Sequence, residues 1–354
     1  MQRRGYQVIG PTIKDSAITY GPIEGIEDLP IGWTAEQEPG SYRLRRRSDA
    51  ALFAFANGPK SLKNFLHPAE IKLFGAEKSS GAFHILPNGD PTPRYAFLGV
   101  RACELAAMGI QDRVLMEDRY RDPVYAARRR NCMVIAVQCT EPAATCFCTS
   151  MGTGPRAKYF FDLALTELVD AGAHEFVVEV GTDLGAELLS EVQSAEASEE
   201  ILRRSREATG QAEQGITRRL ETDGLPELLQ NSFDHPQWDD VASRCLACGN
   251  CTMVCPTCFC VTVEDTSDVT GDHADRWRKW DSCFTLGFSY IHGGSLRTST
   301  KSRYRQWLTH KLSYWHDQFG SSGCVGCGRC MAWCPVGIDL TKEVPAFAQE
   351  RGAQ

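Results

Sequence analysis

Eight of the 16 cysteines in this chain fall in two copies of one spacing. Cys245-x2-Cys248-x2-Cys251-x3-Cys255-Pro256 is repeated as Cys324-x2-Cys327-x2-Cys330-x3-Cys334-Pro335. Thiolates so spaced hold [4Fe–4S] cubanes. Three of them wrap one cube, and the fourth, turned away and followed by proline, ligates the other. One cluster is expected on Cys245, Cys248, Cys251 and Cys334, and a second on Cys324, Cys327, Cys330 and Cys255. Zinc knuckles also use four sulfurs per ion, but they leave the duplicated run and its trailing proline unexplained. Ala247, Gly249, Gly326 and Gly328 are small enough for backbone amides to approach inorganic sulfides. Two cubanes with crossed ligands lie close together and pass electrons singly.

Three further cysteines surround the first run, in Cys258-Phe-Cys260 and Trp280-Asp-Ser-Cys283. They read as ligands of an accessory iron–sulfur centre, as thiols donating weak hydrogen bonds to cluster sulfurs, or as small buried hydrophobes. Another set lies near the N-terminus. Cys103 follows the strand-like Tyr95–Val100, Cys139 follows Cys132–Gln138, and Cys146-Phe-Cys148 sits in the next loop. Carboxyl ends of parallel strands share one sheet edge, where open α/β folds bind ligands. Cys103, Cys139, Cys146 and Cys148 could therefore hold a third [4Fe–4S] cluster; the alternative is core packing and a turn. Cys132 opens a strand and reads as core.

Other signals are weaker. Gly152-Thr-Gly154-Pro-Arg-Ala157 fits a dinucleotide fingerprint on paper, yet it follows no apolar strand and Pro155 sits where the helix should open. Arg297, Lys301, Arg303, Arg305 and Lys311 form an acid-free strip: a docking face, a source of positive charge near clusters, or a solvated helix. No histidine spacing or Ser–His–Asp order suggests a catalytic residue.

The elements that must position these thiols follow from pattern. A chain of 354 residues suits two ordinary domains. A formal charge of -7 offers nothing to a polyphosphate backbone, so nucleic acid is not an expected partner. No membrane span or signal peptide is read, and cysteine at this density in a reducing cytosol points to metal. Strands are expected at Phe83–Leu86, Tyr95–Val100, Cys132–Gln138 and Glu175–Val180. Helices are expected at Glu104–Gln111, Asp118–Arg130 and Tyr159–Ala171. The fold class is α+β. An α/β domain with a partly parallel sheet spans 1–190, with further strands and an α+β element near Ser48–Phe74. A polar helical linker over 191–240 ends its helices at Gly224-Leu225-Pro226. A mostly helical ferredoxin-like domain with two [4Fe–4S] clusters spans 241–354, with helices at Lys279–Tyr290 and Tyr304–Phe319.

The ordered runs GVRACELAAMGIQDRV, VIAVQCTEPAATCFCTSMGTGP, CLACGNCTMVCPTCFCVTVED, WDSC and CVGCGRCMAWCPVGIDL, over roughly residues 80–345, resemble a known family. They are similar to the beta subunit of cytosolic bidirectional [NiFe] hydrogenases of the sulfhydrogenase type, related to the electron-transfer subunit of anaerobic sulfite reductase. The resemblance implies a cytoplasmic electron-transfer subunit with no catalytic residue of its own. It would relay electrons between an FAD/NAD(P)-binding subunit on one side and a [NiFe] hydrogenase small subunit with its large subunit on the other. The alternative it leaves open is the equivalent subunit of a sulfite or sulfur reductase.

Overall fold

A computed structural model describes residues 1–89, 91–117, 120–170 and 172–349. The strands are β1 (Gln7–Lys14), β2 (Ala17–Pro22), β3 (Trp33–Glu38), β4 (Ser41–Arg46), β5 (Glu70–Ser79), β6 (Ala82–Pro87), β7 (Tyr95–Val100) and β8 (Met133–Val137). They continue with β9 (Leu163–Asp170), β10 (Ala173–Val180), β11 (Val261–Ser267), β12 (His273–Trp280), β13 (Tyr290–Ile291) and β14 (Gly294–Ser295).

Six strands form one sheet in the order β10-β9-β8-β7-β1-β2. Its four central strands, β9, β8, β7 and β1, run parallel, and an antiparallel strand closes each edge. β7 and β8 are buried almost throughout, which is why they read as continuous apolar runs rather than alternating ones. Helices Ala102–Asp112 and Pro123–Arg130 link β7 to β8. This crossover leaves Cys103 and Cys139 at the carboxyl ends of neighbouring parallel strands.

Several expectations are corrected. Tyr159–Ala171, read as a helix, contains strand β9; Ala171 itself lies outside the described residues. Leu163, Ala164, Thr166, Glu167 and Leu168 are buried, so pairing with β8 on one side and β10 on the other overrode a pattern that also fits a helix. The helix expected over Asp118–Arg130 runs from Pro123, and Asp118 and Arg119 lie outside the described residues. Gly224-Leu225-Pro226 opens helix Leu225–Asn231 instead of ending one, because proline in a first turn loses no hydrogen bond. The preceding helix, Glu199–Gly215, is not wholly wet: its Ser205 Oγ donates to Thr166 Oγ1 of β9 at 2.9 Å.

The region after Cys260 also differs from the helical expectation. Lys279–Tyr290 is the end of β12 followed by a short 3-10 turn. β12 lies between β11 and β5 in a four-stranded antiparallel sheet, β11-β12-β5-β6, so residues near the N-terminus supply its partners. No local pattern could reveal that pairing. Tyr304–Phe319 is helical, interrupted by a π turn at His310–Tyr314. Among the described residues no helix is long and apolar enough to cross a membrane.

Candidate metal centres

Both four-cysteine runs fold alike. Each turns left-handed at its third and fifth positions, Ala247 and Gly249 in one, Gly326 and Gly328 in the other. In each, the amide two residues on donates to the first sulfur: Ala247 N to Cys245 Sγ and Gly326 N to Cys324 Sγ, both at 3.4 Å. A short helix then carries the third cysteine.

Cys245, Cys248, Cys251 and Cys334 line one cavity of about 450 Å³ of empty space, part of it open to solvent, with Cys330 in its wall. Phe284, Tyr304 and Trp307 close the other side. Cys334 therefore lies with the first run, and Ile338 N donates to its sulfur at 3.4 Å. Cys255 is correspondingly a near neighbour of Cys324, Cys327 and Cys330. Burial raises the Cys324 thiol to about 12 and raises those of Cys327 and Cys330, and repulsion between neighbouring sulfurs adds to this. Sulfurs gathered so closely, out of water, ionise together only against a strong positive charge, which iron supplies.

The N-terminal thiols also converge. Cys103, Cys139, Cys146 and Cys148 line a cavity of about 380 Å³ of empty space, and Cys327 of the second run forms part of its wall. Asn57 Nδ2 donates to Cys103 Sγ at 3.0 Å. Burial lifts the Cys148 thiol to about 12, and repulsion from Cys139 and Cys327 adds to it. Gly154 and Pro155, part of the discounted dinucleotide fingerprint, belong to this wall. Cys132 lies apart and donates to Arg129 O at 3.0 Å.

Cys258, Cys260 and Cys283 are arranged differently. Cys258 lies beside the Cys255 sulfur, and Cys260 beside the thiol and the amide of Cys283. The Cys283 thiol thereby holds Cys260 down to about 7. Among the described residues no three His, Cys, Asp or Glu donors meet at the position of a single ion. A cubane keeps its ligand sulfurs apart at its corners, so its ligands ring a space instead.

Gly326 and Gly328 have a function the sequence did not disclose. A Cβ on Gly326 would stand 2.6 Å from Phe147 O and 2.7 Å from Cys148 Cα, and one on Gly328 would strike Thr145 O. Phe147 N donates to Gly326 O at 2.8 Å, and Thr153 Oγ1 to Val325 O at 2.6 Å. The glycines admit the loop bearing Cys146 and Cys148. Sequence reasoning also left unread the burial of several cations, Arg329 and Lys311 among them. Arg329 and Glu104, both essentially inaccessible, form an ion pair at 2.5 Å that is not aligned as a hydrogen bond. Lys311, which the sequence groups with a basic strip, is buried against Cys255. The strip divides: Lys301 pairs with Asp239 at the surface, and Arg305 donates to Phe233 O at 2.9 Å.

Comparison with known proteins agrees with this chemistry. A family model described as a 4Fe-4S dicluster domain matches residues 244–338. The chain is 31% identical over 339 residues to the sulfhydrogenase 2 subunit beta of Pyrococcus furiosus, which covers 95% of this chain and 90% of that protein. No solved structure matches.

Proposed function

The chain belongs to the sulfhydrogenase beta-subunit family, and from that premise we propose that it is the electron wire of a cytosolic hydrogenase complex. In this reading three [4Fe–4S] clusters are held by Cys103, Cys139, Cys146 and Cys148; by Cys255, Cys324, Cys327 and Cys330; and by Cys245, Cys248, Cys251 and Cys334. When bound, such clusters take up and release one electron at a time. One observation carries the proposal: the middle set has a sulfur in the wall of each outer cavity, Cys327 in one and Cys330 in the other. The order of transfer is then N-terminal set, middle set, first run.

The protein's own groups shape that path. Phe147, fully buried, anchors the Cys146–Cys148 loop in the core formed with Leu220, Trp238 and Met331. Phe284, Tyr304 and Trp307, also buried, close one side of the first run's cavity. Cys248 is the one exposed cysteine, flanked by exposed Leu246, so this end faces a neighbouring protein. Residues 1–190 act as a sheet domain presenting one end of the wire, 191–240 as a helical connection, and 241–354 as the dicluster unit. Cys258 and Cys283 serve as sulfur hydrogen-bond donors beside that unit. The partners are an FAD/NAD(P)-binding subunit, together with the small subunit of a [NiFe] hydrogenase and its large subunit.

Anaerobic preparation and iron analysis test the wire. About twelve irons per chain are expected for three cubanes, and the double substitution Cys146→Ser, Cys148→Ser should remove about four. About eight irons, unchanged by that substitution, overturn the third cluster. Co-elution of a sirohaem protein in place of [NiFe] subunits overturns the hydrogenase assignment.

A further inference from the structure

A lysine occupies the inward stripe of the helix that begins at Thr300. Tyr304, Trp307, Leu308, Leu312 and Trp315 form that stripe and are buried, as helical spacing requires of one face. Lys311 stands among them in the π turn at His310–Tyr314 and is 3 % exposed. Such turns are often found at functional sites. The ammonium reaches three acceptors: Cys255 Sγ at 3.4 Å, Thr257 Oγ1 at 3.1 Å and Gly323 O at 3.1 Å. Three protons thus meet three acceptors. Thr257, itself fully buried, donates to Gly323 O at 2.7 Å and fixes the arrangement.

A buried ammonium is costly unless an anion faces it. Among the described residues, the groups that answer Lys311 are sulfurs: Cys255, Cys258 and Cys324. Arg329 makes an instructive contrast. It touches Cys327 of the same set, but Glu104 cancels its charge. The middle set therefore faces one cation balanced by a carboxylate, Arg329, and two that no carboxylate pairs with among the described residues: Lys311, which touches Cys255, and the buried Lys63, whose charge also reaches Cys255 and Cys258.

We infer that Lys311 sets the reduction potential of the cluster held by Cys255, Cys324, Cys327 and Cys330, by holding an unneutralised positive charge against its Cys255 corner. The inference rests on the cluster reading above. Reduction adds one electron, taken from a neighbouring redox centre, breaks no bond and moves no proton. A cubane with four thiolates is already anionic, so the added charge gains from a fixed cation in a medium of low dielectric constant. Lys311 is thus a positioning residue for charge, and it makes the middle of the wire a favourable place for an electron to rest.

The test is an EPR-monitored redox titration of anaerobically purified full-length protein, following the signal that disappears in Cys324→Ser. Lys311→Gln and Lys311→Met should make that cluster at least tenfold harder to reduce, a downward shift of about 59 mV or more. Lys311→Arg, which keeps the charge, should restore most of the shift. An unmoved potential in the neutral variants, with full iron content, overturns the inference. Loss of that cluster's iron from both neutral variants also overturns it, because Lys311 would then maintain shape and not potential. Wild-type protein that binds no iron would instead refute the underlying cluster reading.

Discussion

At the first run the chain enters the left-handed region at Ala247 and Gly249; at the second it does so at Gly326 and Gly328. The amide-to-sulfur bonds that follow are matched at 3.4 Å. The surroundings are not matched. The first run ends in solvent, with Cys248 exposed and Leu246 63% exposed. The second lies under the N-terminal region: the Thr145–Cys148 loop presses on it, Gly40 N donates to Met331 O at 3.0 Å, and Tyr42 stacks on Trp333 at 5.0 Å. One spacing thus produces one local backbone in two different settings, one covered by the N-terminal region and one open to solvent. The difference also explains the residue choice. Ala247 holds a φ of 51° with its methyl group only half-buried, whereas glycine is required at the equivalent Gly326 because backbone stands where a Cβ would go.

Substitution at these paired positions should separate the two runs most sharply. Gly326→Val combines left-handed strain with a collision against backbone and should cost about 3 kcal/mol or more, with loss of iron from the buried sets. Ala247→Gly should be neutral or stabilising by up to about 1 kcal/mol, since it relieves strain at the cost of some chain entropy. Anaerobic denaturant titrations measure both. Equal effects at the two sites would remove the distinction between a covered run and an open one.

Charge provides the next contrast. Glu104→Gln leaves Arg329 buried without its counter-charge beside the second run and should destabilise the protein by about 3–5 kcal/mol. Lys301→Ala breaks a pair with Asp239 near the open side and should change stability by no more than about 1 kcal/mol, less in high salt. Comparable losses would mean that burial is not what distinguishes the two environments.

A further contrast, smaller than the loss expected at Gly326 or Glu104, is in pH. His67 accepts Trp280 Nε1 on its carbonyl at 2.9 Å, where the N-terminal region meets the four-stranded sheet. Burial, with the Arg278 charge adding to it, pushes its imidazole from 6.5 down to about 3. The unfolded chain then binds a proton that the folded one refuses, so this contribution is complete above pH 6.5 and declines as pH falls towards 3. By pH 5 the loss amounts to about 2 kcal/mol. His67→Phe should flatten the stability profile between pH 7 and 5 by that amount. A profile identical to wild type would place His67 outside the buried contact.

Much of the site was legible because its information is local. Cysteine spacing, trailing prolines and small residues lie within twelve positions of one another, and a cubane dictates them directly. The strand ends bearing Cys103 and Cys139 were equally readable, since β7 and β8 are short apolar runs bounded by turn residues. Lys311 was also available in principle: it stands seven residues after Tyr304 on a stripe of buried aromatic and aliphatic side chains. A cation on such a stripe signals an anionic partner inside; positive charge near the clusters was one reading of the basic strip, but nothing in the sequence singled out Lys311 from its solvated members. β9 and β12 were misread because their strand character comes from partners distant in sequence, which no window of residues contains.

Residue order by itself determined the two duplicated sulfur quartets, the parallel sheet edge carrying further thiols, and the family. Tertiary structure alone decided which quartet lies inside and which reaches the surface, that the N-terminal cavity adjoins Cys327, and that Lys311 faces sulfur and not water. The physical reason is that ligand spacing is a short-range demand of the cubane. Burial, neighbouring charge and contact between sets arise only when segments hundreds of residues apart pack together.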